Sequence, residues 1–202
     1  MNDAFIYDFE TLGQNPRTAP IVSLAAMSFS RDRLTSNPYT YAELLDRVDT
    51  IKFDVADQVK NYGKKIEKDT LEWWGKQSKE AQKQLAPSEL DRPITDISIF
   101  MDFNVTKPKA VYASYRYWVY TRNNTFDPIF LEQILSDIGA ELPYDWWAIR
   151  DTKSTIDGMS WGISLQDNFI PTGLAEHFIA HNPVHDIAMD VMRLQYLAQA
   201  IK

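Results

Sequence analysis

A mixed α/β fold is predicted by three features of this chain of 202 residues. Strand-like segments open it, helical patterns interleave through its later part, and apolar residues at 45% suffice for one core. Residues 4–9 alternate and are rich in Phe, Ile and Tyr, which predicts a strand. Residues 21–29, after Pro20, predict a second and more buried strand. Residues 40–47 are expected as a third, leading to Ile51-Lys52-Phe53. The polar stretch 55–68 is expected as an inserted loop. From Asp69 the pattern turns helical, with Asp69 as cap and Leu71, Trp74 and Ser78 on one face. A short helix is expected over 79–85, stopped by Pro87, and another starting at Pro93 and running toward Asn104. Residues 110–115 and 146–150 predict strands, and 126–138 a helix ended by Gly139. Asn182 as cap and Pro183 as first residue open the last helix, which runs to about Ile201 with Ile187, Val191, Leu194 and Leu197 on helical spacing. No repeat and no boundary interrupts the chain. It is expected to form one domain, 1–202, with a helical and loop insertion around 54–105.

Composition excludes several chemistries. There is no cysteine, hence no disulfide scaffold, thiol nucleophile, zinc–thiolate site or iron–sulfur cluster. Net charge is −7, unlike a passive binder of nucleic-acid backbone, whose affinity comes from neutralising phosphates. An acidic protein still acts on phosphates when divalent cations hold its carboxylates. The opening Met-Asn-Asp-Ala has an acid at once and no basic leader, and no apolar run approaches the roughly 20 residues that span a bilayer. A cytoplasmic protein without membrane contact is expected.

Three acidic features stand out. Asp8-Phe9-Glu10 closes the first strand with two carboxylates on one face, about 6.5 Å apart at strand rise. Asp127, after Asn123-Asn124-Thr125-Phe126, enters an apolar helix where an acid complements the helix dipole. His181-Asn182-Pro183-Val184-His185-Asp186 puts a His before the last helix and an Asp in its first turn. Each alone has an ordinary structural explanation: a solvated strand end, a first-turn acid, a hydrogen-bonded His. Together, four carboxylates and one His are the donor set that two hard divalent cations require, about 3.5–4 Å apart, to hydrolyse a phosphodiester. Oxygen-only ligands favour Mg²⁺ or Mn²⁺ over zinc. A neutral imidazole at His181 serves as general base near neutral pH.

In order and spacing, Asp8-x-Glu10, Phe126-Asp127 before Phe130-Leu131, and His181 five residues before Asp186 resemble the DEDDh 3′–5′ exonucleases. Asp8-Phe9-Glu10-Thr11-Leu12-Gly13 matches their first motif, and Asn123 stands four before Asp127 as in their second. Pro183 departs from the third, where a small residue is usual. Ile51-Lys52-Phe53-Asp54, Thr70-Leu71-Glu72-Trp73-Trp74, Gln77-Ser78, Glu80-Ala81 and Arg150-Asp151 are similar to the exonuclease A proteins of tailed bacteriophages. The resemblance implies an RNase H-like fold and removal of nucleotides from the 3′ end of single-stranded DNA, in the host cytoplasm if the protein is phage-encoded. It implies metal ligation by Asp8, Glu10, Asp127 and Asp186, proton transfer at His181, and substrate contacts at Thr11, Leu12, Asn123 and Phe126. His185 with Asp190 repeats the five-residue spacing inside the helix. The helix start at Asn182-Pro183 favours His181 with Asp186.

Two other readings compete. An exoribonuclease of the same fold would carry the same carboxylates, since sugar choice lies in how the pocket treats the 2′-OH. A non-catalytic 3′-end-binding module would be expected to lack one of the five residues. The eight lysines and six acids between Lys52 and Lys83 form a locally basic track with Tyr62, Trp73 and Trp74, suited to stacking unpaired bases. Lys64 and Lys65 are expected there to grip the strand.

Overall fold

A computed structural model describes residues 3–105, 117–161 and 165–200. In chain order the elements are β1 (Ala4–Thr11), β2 (Ile21–Phe29), α1 (Arg33–Ser36), α2 (Tyr41–Leu45), β3 (Asp49–Lys52), α3 (Val55–Tyr62), α4 (Lys68–Trp74), α5 (Lys79–Gln82), α6 (Asp96–Asn104), β4 (Trp118–Thr121), α7 (Asp127–Ile138), β5 (Ile149–Asp151), α8 (Thr152–Met159) and α9 (Pro183–Ala200). The strands form one mixed sheet in the order β3-β2-β1-β4-β5. β1 and β2 pair antiparallel, as do β2 and β3, whereas β4 lies parallel to β1 and β5 parallel to β4.

The two-residue period of β1 explains both cores. Phe5, Tyr7 and Phe9 face one side, packing with Phe130, Leu131 and Ile134 of α7. Ala4 and Ile6 face the other, against Ile187, Val191 and Leu194 of α9. Asp8 and Glu10 continue the α9 face where the apolar side chains stop. Past Ile6 the pairing of β1 with β4 ends, and the β1–β2 register slips between Glu10 and Thr11. A bulge at that point re-aims the strand end. Gly13 follows at a close approach: a Cβ there would lie 2.7 Å from the Ala19 Cβ and from the Glu67 carboxylate.

Residues 54–91 leave the sheet and return to one point, since Arg92 donates to Lys52 O and accepts from Asp54 N–H, both at 2.8 Å. Buried Gln58 of α3 bonds both backbone groups of Ile21, and Lys64, its side chain fully covered, pairs with Asp137 of α7 at 2.8 Å. Among the described residues, no helix is long and apolar enough to cross a membrane.

Several elements differ from the sequence expectations. The strand expected at 40–47 is helix α2, because Thr40 accepts from Glu43 N–H and caps it; the third strand is Asp49–Lys52. The loop expected at 55–68 contains α3, capped by Asp54 and ended by Gly63 at φ 66°. α4 starts from Glu67 with Asp69 inside its first turn. Its predicted common face is broken: Trp74 is buried, Leu71 is exposed, and Ser78 caps α5. Pro93 lies outside α6, which begins after Thr95. Trp146–Ala148 forms a 3-10 turn before β5. The strand expected at 110–115 lies outside the described residues. β1, β2, α7 with Gly139 at φ 71°, and α9 after Asn182 stand as expected.

Candidate active site

The carboxylates meet where the C-terminal half of β1 passes the starts of α7 and α9. Asp8 and Glu10 project from β1 and Asp186 from the first turn of α9, and each offers an oxygen, all within 4.8 Å of one another. Asp127 approaches from α7. Its Oδ1 accepts the Phe9 N–H at 3.1 Å, filling the strand edge that β4 no longer covers. Among the described residues none of these four acids forms an ion pair.

Like charges brought together out of water resist ionisation. Burial first, and then the charges of Asp127, Glu10 and Asp186, push the Asp8 carboxyl well above the usual carboxylate range. Burial and then Asp186 do the same to Glu10. Asp127 and Asp186 are each raised to about 7, again chiefly by burial, with Asp190 as the largest charge acting on both. A hard cation bound among these oxygens would relieve both the repulsion and the desolvation. The donor set fits Mg²⁺ or Mn²⁺.

His181 sits beside this cluster on a cleft of about 670 Å³, which is also lined by Glu10, Thr11, Glu67, Trp73 and Phe126. Its ring is half-buried, with Trp73 edge-on at 4.7 Å between centroids. Burial lowers its pKa, which keeps the imidazole neutral and able to accept a proton near pH 7. The other pair of the same spacing is otherwise engaged. His185 Nδ1 lies 2.9 Å from the Tyr41 hydroxyl, and Asp190 is held by Arg122 and Arg193.

Over residues 3–196 the sequence matches the 3′–5′ exoribonuclease Rv2179c-like domain family. The chain belongs to this family. It is 31% identical to an exodeoxyribonuclease of Enterobacteria phage T4, over 95% of this chain and 87% of that protein. Two structures of E. coli exonuclease I are similar in fold. One, a zinc-bound complex with single-stranded DNA, has TM-score 0.55 and 19% identity over 98% of this chain. The other, with a dT13 oligonucleotide, has TM-score 0.58 and 17% identity over 100% of this chain. The chain spans about two-fifths of the length of exonuclease I. The fold is RNase H-like, the DEDDh resemblance read from the motifs is borne out, and this family member is a nuclease.

Not every residue expected at the site of this nuclease reaches the cleft. Thr11 lines it, but its hydroxyl donates to Gly13 O at 2.7 Å and closes the turn. Leu12 is buried instead with Val22, Trp74 and Ala81, because the bulge turns it into a small core. Asn123, at φ 132°, builds the turn before α7: its Oδ1 accepts from the Thr125 hydroxyl at 2.6 Å and its carbonyl from Phe126 N–H. Phe126 lines the cleft and packs on Phe130. Within the basic track, Lys64 is no surface cation; besides Asp137 it donates to Pro16 O and Arg17 O. Both Trp rings line the cleft, but Trp74 is buried with its indole N–H on Thr11 O, whereas Trp73 is exposed and lies against His181. Sequence reasoning missed Glu67. Its carboxylate accepts from Gln14 and Asn15 N–H, and its own N–H donates to Leu12 O, so it shapes the loop after Glu10.

Proposed function

We propose that the protein is a 3′–5′ exonuclease that shortens single-stranded DNA by hydrolysis, releasing nucleoside 5′-monophosphates. The observation that carries this is the convergence of Asp8, Glu10 and Asp186, with no ion-pair partner among the described residues, beside His181 in an open cleft. Asp8, Glu10 and Asp186 would hold one Mg²⁺ or Mn²⁺, and Asp8 with Asp127 a second. When bound, such ions supply positive charge against the phosphodiester and acidify water. His181 accepts the proton of the attacking water at an imidazole nitrogen. The water oxygen bonds to phosphorus as the P–O3′ bond breaks, and the leaving O3′ takes a proton from solvent to become the new 3′ hydroxyl. Phe126 and Trp73 wall the space for the terminal nucleotide, with Thr11 at its edge. The chain acts as one nuclease domain, with 54–105 an insertion that supplies the Glu67 and Trp73 side of the cleft.

The phage T4 relative, named an exodeoxyribonuclease, supports DNA as substrate; the exonuclease I complexes with single-stranded DNA agree with it. The family description, an exoribonuclease-like domain, favours RNA as the second reading. DNA and RNA strands labelled at either end, incubated with Mg²⁺, Mn²⁺ or chelator, test both. Metal-dependent shortening from the 3′ end of DNA is expected. Cleavage that persists in excess chelator, or that starts at the 5′ end, contradicts the proposal; faster loss of RNA replaces the substrate.

A further inference from the structure

We propose that Gln84 is a positioning residue for His181, one that sets where the imidazole stands relative to the carboxylates. His181 occupies the left-handed region at φ 60°, a conformation seldom taken by a residue with a side chain and one that surrounding structure must hold. Its carbonyl accepts from Gln84 Nε2 at 2.5 Å. The far side of the same amide is also tied, since Gln84 Oε1 accepts from Ser23 Oγ at 3.2 Å. The amide orientation follows from chemistry, because a carbonyl only accepts and so must meet the NH₂. Ser23 lies on β2 directly across from Glu10. One side chain thus connects the turn that carries His181 to the strand position opposite a member of the carboxylate cluster.

Gln84 itself is placed by the 3-10 turn Lys83–Leu85 within the insertion, 97 residues away from His181 in sequence. Without this clamp the turn has somewhere to relax. A second cavity of about 260 Å³ adjoins the cleft, lined by Ser78, Glu80, Phe178 and His181 itself. A general base displaced by about 1 Å loses on the order of 10²-fold in rate, with little effect on groups that bind the strand elsewhere.

The inference rests on the reading of His181 as general base, and the experiment separates the two. Turnover of a 3′-labelled DNA strand is measured for Gln84→Leu, Gln84→Glu, His181→Ala and the double variant His181→Ala with Gln84→Leu. Gln84→Glu keeps the size but places a carboxylate where a donor is needed. Both Gln84 variants are expected to lower kcat by about 10- to 100-fold with KM within about twofold. In the His181→Ala background, Gln84→Leu is expected to add nothing. Normal kcat in the Gln84 variants, an additive loss in the double variant, or a rise in KM that accounts for the effect overturns the positioning role alone. Near-normal kcat in His181→Ala overturns the base assignment and the positioning role together. Should Gln84→Leu fold poorly, Gln84→Glu and Ser23→Ala carry the test, the latter expected to show the smaller loss in kcat.

Discussion

Two aspartates one turn apart on α9 are treated in opposite ways. Asp190, 1% exposed, is fully provided for: Arg122 donates at 2.6 Å, Arg193 at 2.7 Å and the Thr152 hydroxyl at 2.5 Å. Arg122 continues to Asp167, so the network fastens α9 to the chain after β4 and to α8. Among the described residues Asp186 has no cationic partner at contact distance, and it faces Asp8 and Glu10 instead. Burial therefore does not mark the functional acid. The missing counter-ion does, because a protein that can neutralise Asp190 with two arginines has left three nearby carboxylates to something else.

The largest expected effects come from exchanging the two. Asp186→Ala should abolish turnover while the fold remains, and thermal stability in chelator should hold or rise as repulsion is relieved. Asp190→Ala should instead destabilise the protein by about 3–5 kcal/mol, the usual loss on breaking a buried pair, because Arg193 and Arg122 lose their shared acceptor. Chemical denaturation paired with an activity assay reads both. An Asp186→Ala protein with normal turnover, or an Asp190→Ala protein of normal stability, would erase the contrast.

The same contrast extends to the two histidines. His181→Ala should lower kcat by roughly 10²–10⁴, whereas His185→Ala, which loses a bond to Tyr41, should stay within about threefold. The reverse ranking would move the chemistry to His185.

Those histidines also show what the sequence makes legible. Asn182 and Pro183 mark a helix start, and the structure bears it out, with Asn182 Oδ1 accepting from Val184 N–H. Asp8, Glu10, Asp127 and Asp186 stand out because acids interrupt apolar periodicity, which core packing does not favour. β1, β2, α7 and α9 are legible for the converse reason: long, regular apolar patterns. Shorter elements are not. Tyr41 and Thr40 look strand-like, yet the Thr40 hydroxyl accepts from Glu43 N–H as an N-cap, and local capping outweighs β propensity over five residues. Lys64 reads as a strand-gripping cation of a loop, and Glu67 and Gln84 carry no signal at all, since the partners Asp137, Gln14 and His181 lie 53 to 97 residues away. No local pattern encodes such pairs.

A smaller effect concerns pH. Asp127 and Asp186 are raised to about 7 in the fold, chiefly by burial, against about 3.9 in an unfolded chain. Between those values the metal-free folded protein binds more protons than the unfolded chain, so its stability falls as pH rises from about 4 to about 7. Thermal unfolding in chelator should give a higher Tm at pH 5 than at pH 8, with the difference reduced by Asp186→Asn and by saturating Mg²⁺. A Tm that rises with pH under chelation would contradict the account of these groups.

Calorimetric titration of Mn²⁺ into the DNA-free protein at pH 8 tests most directly whether Asp8, Glu10 and Asp186, which have no ion-pair partner among the described residues, are a cation site. Saturable binding is predicted for the native chain, with severe loss in both Asp8→Asn and Asp186→Asn. Equal Mn²⁺ affinity in the native chain and both variants would contradict it.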